Sequence, residues 1–152
     1  MAVIPWAALG ACTTRTGEVP DFEGRTMEGQ PFTRASLQGR PVLIQFWATW
    51  CGYCRRDQAA MDTLAYEYLG KLHVLAVNVG EDRGTVREYL SAMPRRGQMV
   101  LSSETNLVEV FRPGGFPHYV LLGAESEVLG VQRGSAGEAG MRRLVAKAGL
   151  AG

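Results

Sequence analysis

The strongest constraint on this chain is a junction near its middle. Val42–Trp47 reads VLIQFW, a short apolar run with β-branched and aromatic residues, and predicts a buried strand. From Cys51 to about Leu69 the period changes to that of a helix. Cys54, Gln58, Met61, Leu64, Ala65, Tyr68 and Leu69 share one face, and Arg55, Arg56, Asp62 and Glu67 lie mostly elsewhere. Where strand gives way to helix stands Trp50-Cys51-Gly52-Tyr53-Cys54. Two residues between cysteines allow a disulfide across a first helical turn. A helix N-terminus, with unpaired N–H groups and a positive dipole end, favours a thiolate there. Thiolate is the attacking species in disulfide exchange. Cys51, the first and by geometry the more exposed, is expected to be the nucleophile. Cys54, one turn inward, is expected to resolve the mixed disulfide.

Other uses of the pair fit less well. A zinc site needs about four ligands, and Cys12, His73 and His118 lack the spacing to complete one. A disulfide spanning two residues restrains too little chain to be a structural staple. Copper(I) held by Cys51 and Cys54 with His118 nearby is a reading of another class, a metal chaperone. A thiol peroxidase lacks its Pro-x-x-x-Thr-x-x-Cys arrangement. Lys+Arg is 16 against Asp+Glu 15, a net charge of +1, which gives no footprint for nucleic acid.

Further elements follow the same logic. His73–Val79 is a second buried strand, and Thr85–Met93 a helix stopped by Pro94. Asn106–Phe111 is a short helix. Tyr119–Leu122 and Val128–Arg133 form a hairpin. Ser135 to Glu138 reads as a capping box opening a helix through about Ala148, ended by Gly149. The order is that of an α/β domain with a parallel portion followed by an antiparallel hairpin. Gly114-Gly115-Phe116-Pro117 precedes the hairpin, and its proline is either a cis turn whose backbone meets an extended substrate or an ordinary loop residue. Asp57, three residues after Cys54, is either a partly buried acid with a raised pKa that passes protons or an exposed acid favoured by the helix dipole. His118 is either a solvent-facing rim residue or one that contacts substrate or tunes a pKa.

With these residues placed, the chain resembles the TlpA/ResA-type thiol–disulfide oxidoreductases of the thioredoxin-like superfamily. The match runs from about Glu18 to Gly149 through Val19-Pro20-Asp21-Phe22, Leu37-Gln38-Gly39-Arg40-Pro41, Phe46 to Arg55, Ala76 to Asp82 and Phe116-Pro117. The resemblance implies a thioredoxin-like fold: a central mixed sheet flanked by helices, with an N-terminal β extension and a central insert before Pro117. It implies that Pro117 is cis and faces the disulfide, and that Trp50, Gly52, Tyr53, Phe116 and Pro117 form the substrate rim. It favours Asp57 as a catalytic acid, since the family commonly carries an acid there, usually the longer Glu. Gln45, six residues before Cys51, stands where thioredoxin has a buried Asp. Gly52-Tyr53 replaces thioredoxin's Gly-Pro, which keeps an oxidase or isomerase as the alternative to a reductant.

Cys12 is the third and odd cysteine. Leu9-Gly10-Ala11-Cys12 reads as a lipobox, although the apolar residues ahead of it include Pro5 and lack a basic start. Residues 1–17 are accordingly expected to be a signal or lipobox remnant and tether, and 18–150 the domain. The resemblance places that domain in the periplasm or on the outer face of the cytoplasmic membrane, lipid-anchored through Cys12 and monomeric. It implies partner proteins bearing disulfides, such as those of cytochrome c maturation, a membrane thiol–disulfide reductase as electron donor, and no cofactor or metal beyond the Cys51–Cys54 pair.

Overall fold

The computed structural model describes residues 19–150. Its elements are β1 (Glu23–Thr26), β2 (Pro31–Thr33), α1 (Arg34–Leu37), β3 (Val42–Trp47), α2 (Gly52–Glu67), β4 (His73–Asn78), α3 (Arg83–Ala92), β5 (Gln98–Thr105), α4 (Leu107–Phe111), β6 (His118–Leu122), β7 (Val128–Arg133) and α5 (Gly137–Ala146). The strands form one sheet in the order β2-β1-β5-β4-β3-β6-β7. β3 lies between a parallel neighbour, β4, and an antiparallel one, β6. This is the expected mixed sheet with an N-terminal β extension, and α3, β5 and α4 fill the stretch between β4 and Pro117.

Alternation along β3 divides the core. Val42, Ile44 and Phe46 face a cluster completed by Phe22, Phe32, Leu107 and Val120. Leu43 faces the opposite cluster, where Met61 and Leu64 of α2 meet Met141 and Leu144 of α5. A third cluster gathers Trp47, Ala48, Cys51, Cys54 and Val86 at the end of β3. Helices therefore cover both faces of the strand that leads to the cysteines. Full burial of each such side chain contributes about 1.5–3 kcal/mol, so the position of the cysteine turn is held by the domain's main source of stability.

Several local expectations change. β5 was not anticipated, because QMVLSSET carries little apolar alternation; its strand state comes from pairing with β4 on one side and β1 on the other. α3 begins at Arg83, since the Asp82 side chain accepts the Thr85 N–H at 2.7 Å and caps the helix earlier. α2 ends at Glu67, so Leu69 falls beyond it and is 79% exposed rather than on the buried face. The capping box at Ser135 does not form: α5 is capped at Ala136 with no side-chain bond of its own. His118 is buried in β6, its ring 5.9 Å from that of Phe46, and is not a rim residue.

Candidate active site

Cys51 is the N-cap of α2, in extended conformation, and the Cys54 N–H donates to its sulfur at 3.1 Å. The two cysteines are joined as a disulfide with their Cα atoms 5.2 Å apart. Exposure does not separate them, against expectation: Cys51 is 4% and Cys54 3% exposed. What separates them is the helix end. The Cys51 sulfur sits at the N-cap and accepts the Cys54 N–H, whereas Cys54 lies inside the first turn, and a thiolate at the helix N-terminus is stabilised by that bond and the helix dipole.

The rim is aromatic. Trp50 and Tyr53 are 68% and 59% exposed on either side of the disulfide. The Trp50 ring meets Phe116 edge-on at 5.9 Å. The Phe116–Pro117 peptide is cis, and Phe116 packs against the cluster that contains both cysteines. The structure thus brings Trp50 and Phe116 together beside the disulfide, with Gly52 and Tyr53 between its cysteines and cis-Pro117 next in the chain after Phe116. Behind Trp50, Glu81 fixes the approach to the site. Its carboxylate accepts the Thr49 N–H at 2.9 Å, the Thr49 hydroxyl at 2.5 Å and an Asn78 amide N–H at 2.7 Å. Burial raises the Glu81 pKa, but these bonds outweigh it and hold the carboxyl below its ordinary range.

Asp57 corrects the sequence expectation most directly. It is fully buried. Oδ1 accepts the Ser135 hydroxyl at 2.6 Å and the Gly137 N–H at 3.1 Å, and Oδ2 accepts the Tyr119 hydroxyl at 2.7 Å and the Ala136 N–H at 2.9 Å. All four lone-pair positions of the carboxylate are used. Burial pushes the pKa up, yet the bonds from Ser135, Tyr119, Ala136 and Gly137 together overcome it, so the group lies below the usual carboxylate range instead of above it. In this arrangement Asp57 is an anion that caps α5 from a different helix. Ser135, which locally resembles a cap for α5, spends its hydroxyl on Asp57.

The polar chain continues inward. Tyr119, fully buried, accepts an N–H from the Gln45 amide at 3.2 Å, and Gln45 in turn accepts from Arg95 at 2.6 Å. The Arg95 guanidinium lies over the Trp47 ring, 4.8 Å from its centre. Burial and the Asp57 charge raise the Tyr119 pKa, so its hydroxyl stays protonated and keeps donating. Sequence reasoning singled out Gln45, gave Ser135 a local capping role in place of its bond to Asp57, and missed Tyr119, Arg95 and Glu81. Inward alternation along β6 was the one available signal for Tyr119; Ser135, Arg95 and Glu81 act through contacts distant in sequence.

A thioredoxin family model matches residues 25–112, more than half of the chain. The chain belongs to the thioredoxin family. Among curated relatives, it is 44% identical to the thioredoxin-like protein YneN of Bacillus subtilis over 61 residues, 40% of this chain and 36% of that one. It is 28% identical to the thiol-disulfide oxidoreductase ResA of Geobacillus kaustophilus over 111 residues, 72% of this chain and 63% of that one. The chain therefore spans less than two thirds of the length of both. A crystal structure of a thioredoxin-family thiol:disulfide interchange protein from Chlorobium tepidum superposes with a TM-score of 0.74 at 26% identity, covering 88% of this chain and 97% of that one. The TlpA/ResA-like affiliation expected from the residues thus holds. In this chain Cys51–Cys54 stands at the junction of β3 and α2, and Gln45 and the fully engaged Asp57 lie in its interior.

Cys12 and the tether lie outside the described residues. Among the described residues, no helix is long and apolar enough to cross a membrane.

Proposed function

We propose that the protein is a thiol–disulfide oxidoreductase that reduces disulfides of partner proteins on the outer side of the cytoplasmic membrane. The observation that carries this reading is the Cys51 sulfur, seated as the N-cap of α2 and joined to Cys54, with exposed Trp50 and Tyr53 beside it in the chain. In the reduced protein, the Cys51 thiolate attacks one sulfur of a partner disulfide. A Cys51–partner disulfide forms and the first partner thiolate leaves, taking a proton. Cys54 then loses its proton and attacks the Cys51 sulfur, which closes Cys51–Cys54 and releases the second partner thiolate to be protonated. Two electrons pass to the partner. A membrane thiol–disulfide reductase returns two electrons to the pair, which needs no bound cofactor. The backbone at Phe116 offers an edge to an extended substrate segment.

By analogy with the family, the substrates are heme-binding cysteines of apocytochrome c or those of a copper-site assembly protein. Cys12 carries lipid and residues 13–17 act as tether to a monomeric domain. Asp57 serves this site as a positioning residue, holding α5 against α2.

The test is to trap partners with Cys54→Ser in cells and identify proteins disulfide-linked to Cys51. The reading requires such adducts, and their absence would defeat it. The reduction potential sets the direction: a value near about −270 mV fits a reductant, and one near about −120 mV the oxidase suggested by Gly52-Tyr53. Mass spectrometry of the native protein decides the anchor, since an unmodified Cys12 behind an intact Met1 would exclude it.

A further inference from the structure

A groove of about 510 Å³ runs beside cis-Pro117, between the end of α4 and the end of β7. Phe116 and Pro117 lie in its wall, and Phe116 also touches Trp50, so the groove continues from the aromatic rim of the disulfide. Its lining includes two arginines, Arg112 and Arg133, and no carboxylate. Both are exposed, and among the described residues neither guanidinium has a hydrogen-bond or ion-pair partner. Arg133 sits opposite His118 across the β6–β7 pair. Burial, with the Arg133 charge, lowers the His118 pKa, so the imidazole offers no further positive charge and stands as a neutral polar group between them.

Arg112 is the less expected of the two. It occupies the C-cap of α4 in the left-handed region, at φ 45°. Glycine is the ordinary residue there, and a side chain costs about 1 kcal/mol. A strained arginine whose guanidinium has no hydrogen-bond or ion-pair partner among the described residues is a reason to look for an external one. Directly after Cys54 on α2, Arg55 and Arg56 add two exposed cations, Arg56 stacked over the Tyr53 ring. Asp57 and Glu81 are anions turned inward onto Ser135 and Thr49, and neither pairs with any of these guanidiniums. In a chain of net charge +1, the charged side chains that line the groove are both arginines.

We propose that this groove selects extended substrate segments that carry an aspartate or glutamate within a few residues of the reacting cysteine, with Arg112 and Arg133 as the specificity-determining residues. The inference rests on the oxidoreductase reading and narrows its substrate class. Two exposed guanidiniums attracting a carboxylate, against the same pair repelling an ammonium, make a difference of about tenfold at low salt. Screening reduces it to about twofold in 0.5 M salt.

The probes are three disulfide-linked peptide dimers, identical except for Glu, Gln or Lys on both sides of the cysteine, with dithiothreitol regenerating the enzyme. The quantity read is the ratio of kcat/KM for the Glu over the Lys peptide within each protein, so any general loss of activity cancels. The wild type is expected to give about ten at low salt, with Gln between, and the Arg112→Gln/Arg133→Gln protein a ratio near one. The salt dependence of the wild type gives a second measurement that needs no variant. Equal rates with all three peptides, or a ratio that survives in the double variant, overturn the proposal and leave the oxidoreductase reading standing. If neither the peptides nor uncharged hydroxyethyl disulfide is reduced, both readings fall together.

Discussion

Replacing Asp57 by Asn is the sharpest test of how this domain is held together. Asn keeps one oxygen where Asp57 has two, and each Asp57 oxygen accepts two hydrogen bonds. Two bonds are therefore lost, and the new amide N–H groups point at donors. Bonds to a charged group contribute about 1.5–3 kcal/mol each, which gives a loss of about 3–6 kcal/mol. For a domain of this size that lowers Tm on the order of 10 °C. The pH dependence carries the diagnosis. The folded pKa of Asp57 lies below its unfolded value of about 3.9, so the stabilisation is complete above that value and disappears as pH falls through the folded one. The difference between wild type and Asp57→Asn in urea unfolding should stay constant from pH 8 to about 5 and shrink below about 4. A proton-carrying acid with a raised pKa predicts the opposite: a variant close to wild type at pH 5, with the difference growing toward pH 8. Equal stability at pH 7 to within about 1 kcal/mol would refute the capping role.

Tyr119→Phe removes one donor to Asp57 and leaves the buried Gln45 amide without its acceptor; we expect a loss of about 2–4 kcal/mol by urea unfolding. In the wild type, ultraviolet titration should find Tyr119 un-ionised at pH 11 until the protein unfolds. Glu81→Gln weakens the hold on Thr49 and should cost about 1–2 kcal/mol, with faster amide exchange at Thr49; unchanged exchange there would mean that Glu81 does not order the turn.

The parts of the fold legible in the sequence are those governed by neighbours along the chain. VLIQFW, HVLAVN and HYVLL became the three adjacent central strands, and Cys51 to Cys54 lay at the start of the expected helix. What escaped depends on partners far away. β5 is polar in composition and exists because strands on both sides supply hydrogen bonds. Ser135 satisfies a local cap rule, yet an acid 78 residues earlier outcompetes it. Asp57 was recognised by spacing, but its ionisation could not be read, because the decisive donors come from β6 and the start of α5. His118 is a polar residue in a central strand buried along its whole length, and the strand carries it into the core despite its polarity.

The capping of α5 from α2 also governs how the domain can come apart. Lifting α5 strips the Ser135, Ala136 and Gly137 donors from a carboxylate that remains beneath α2, the helix carrying the cysteines. Only the Tyr119 bond then remains to an anion that had four, too few to hold it there, so α2 must loosen when α5 does. The last helix and the redox helix therefore belong to one cooperative opening unit, with a shared free energy of exchange for their amides. A protease that catches the C-terminal helix detached would, by the same event, find Cys54 uncovered.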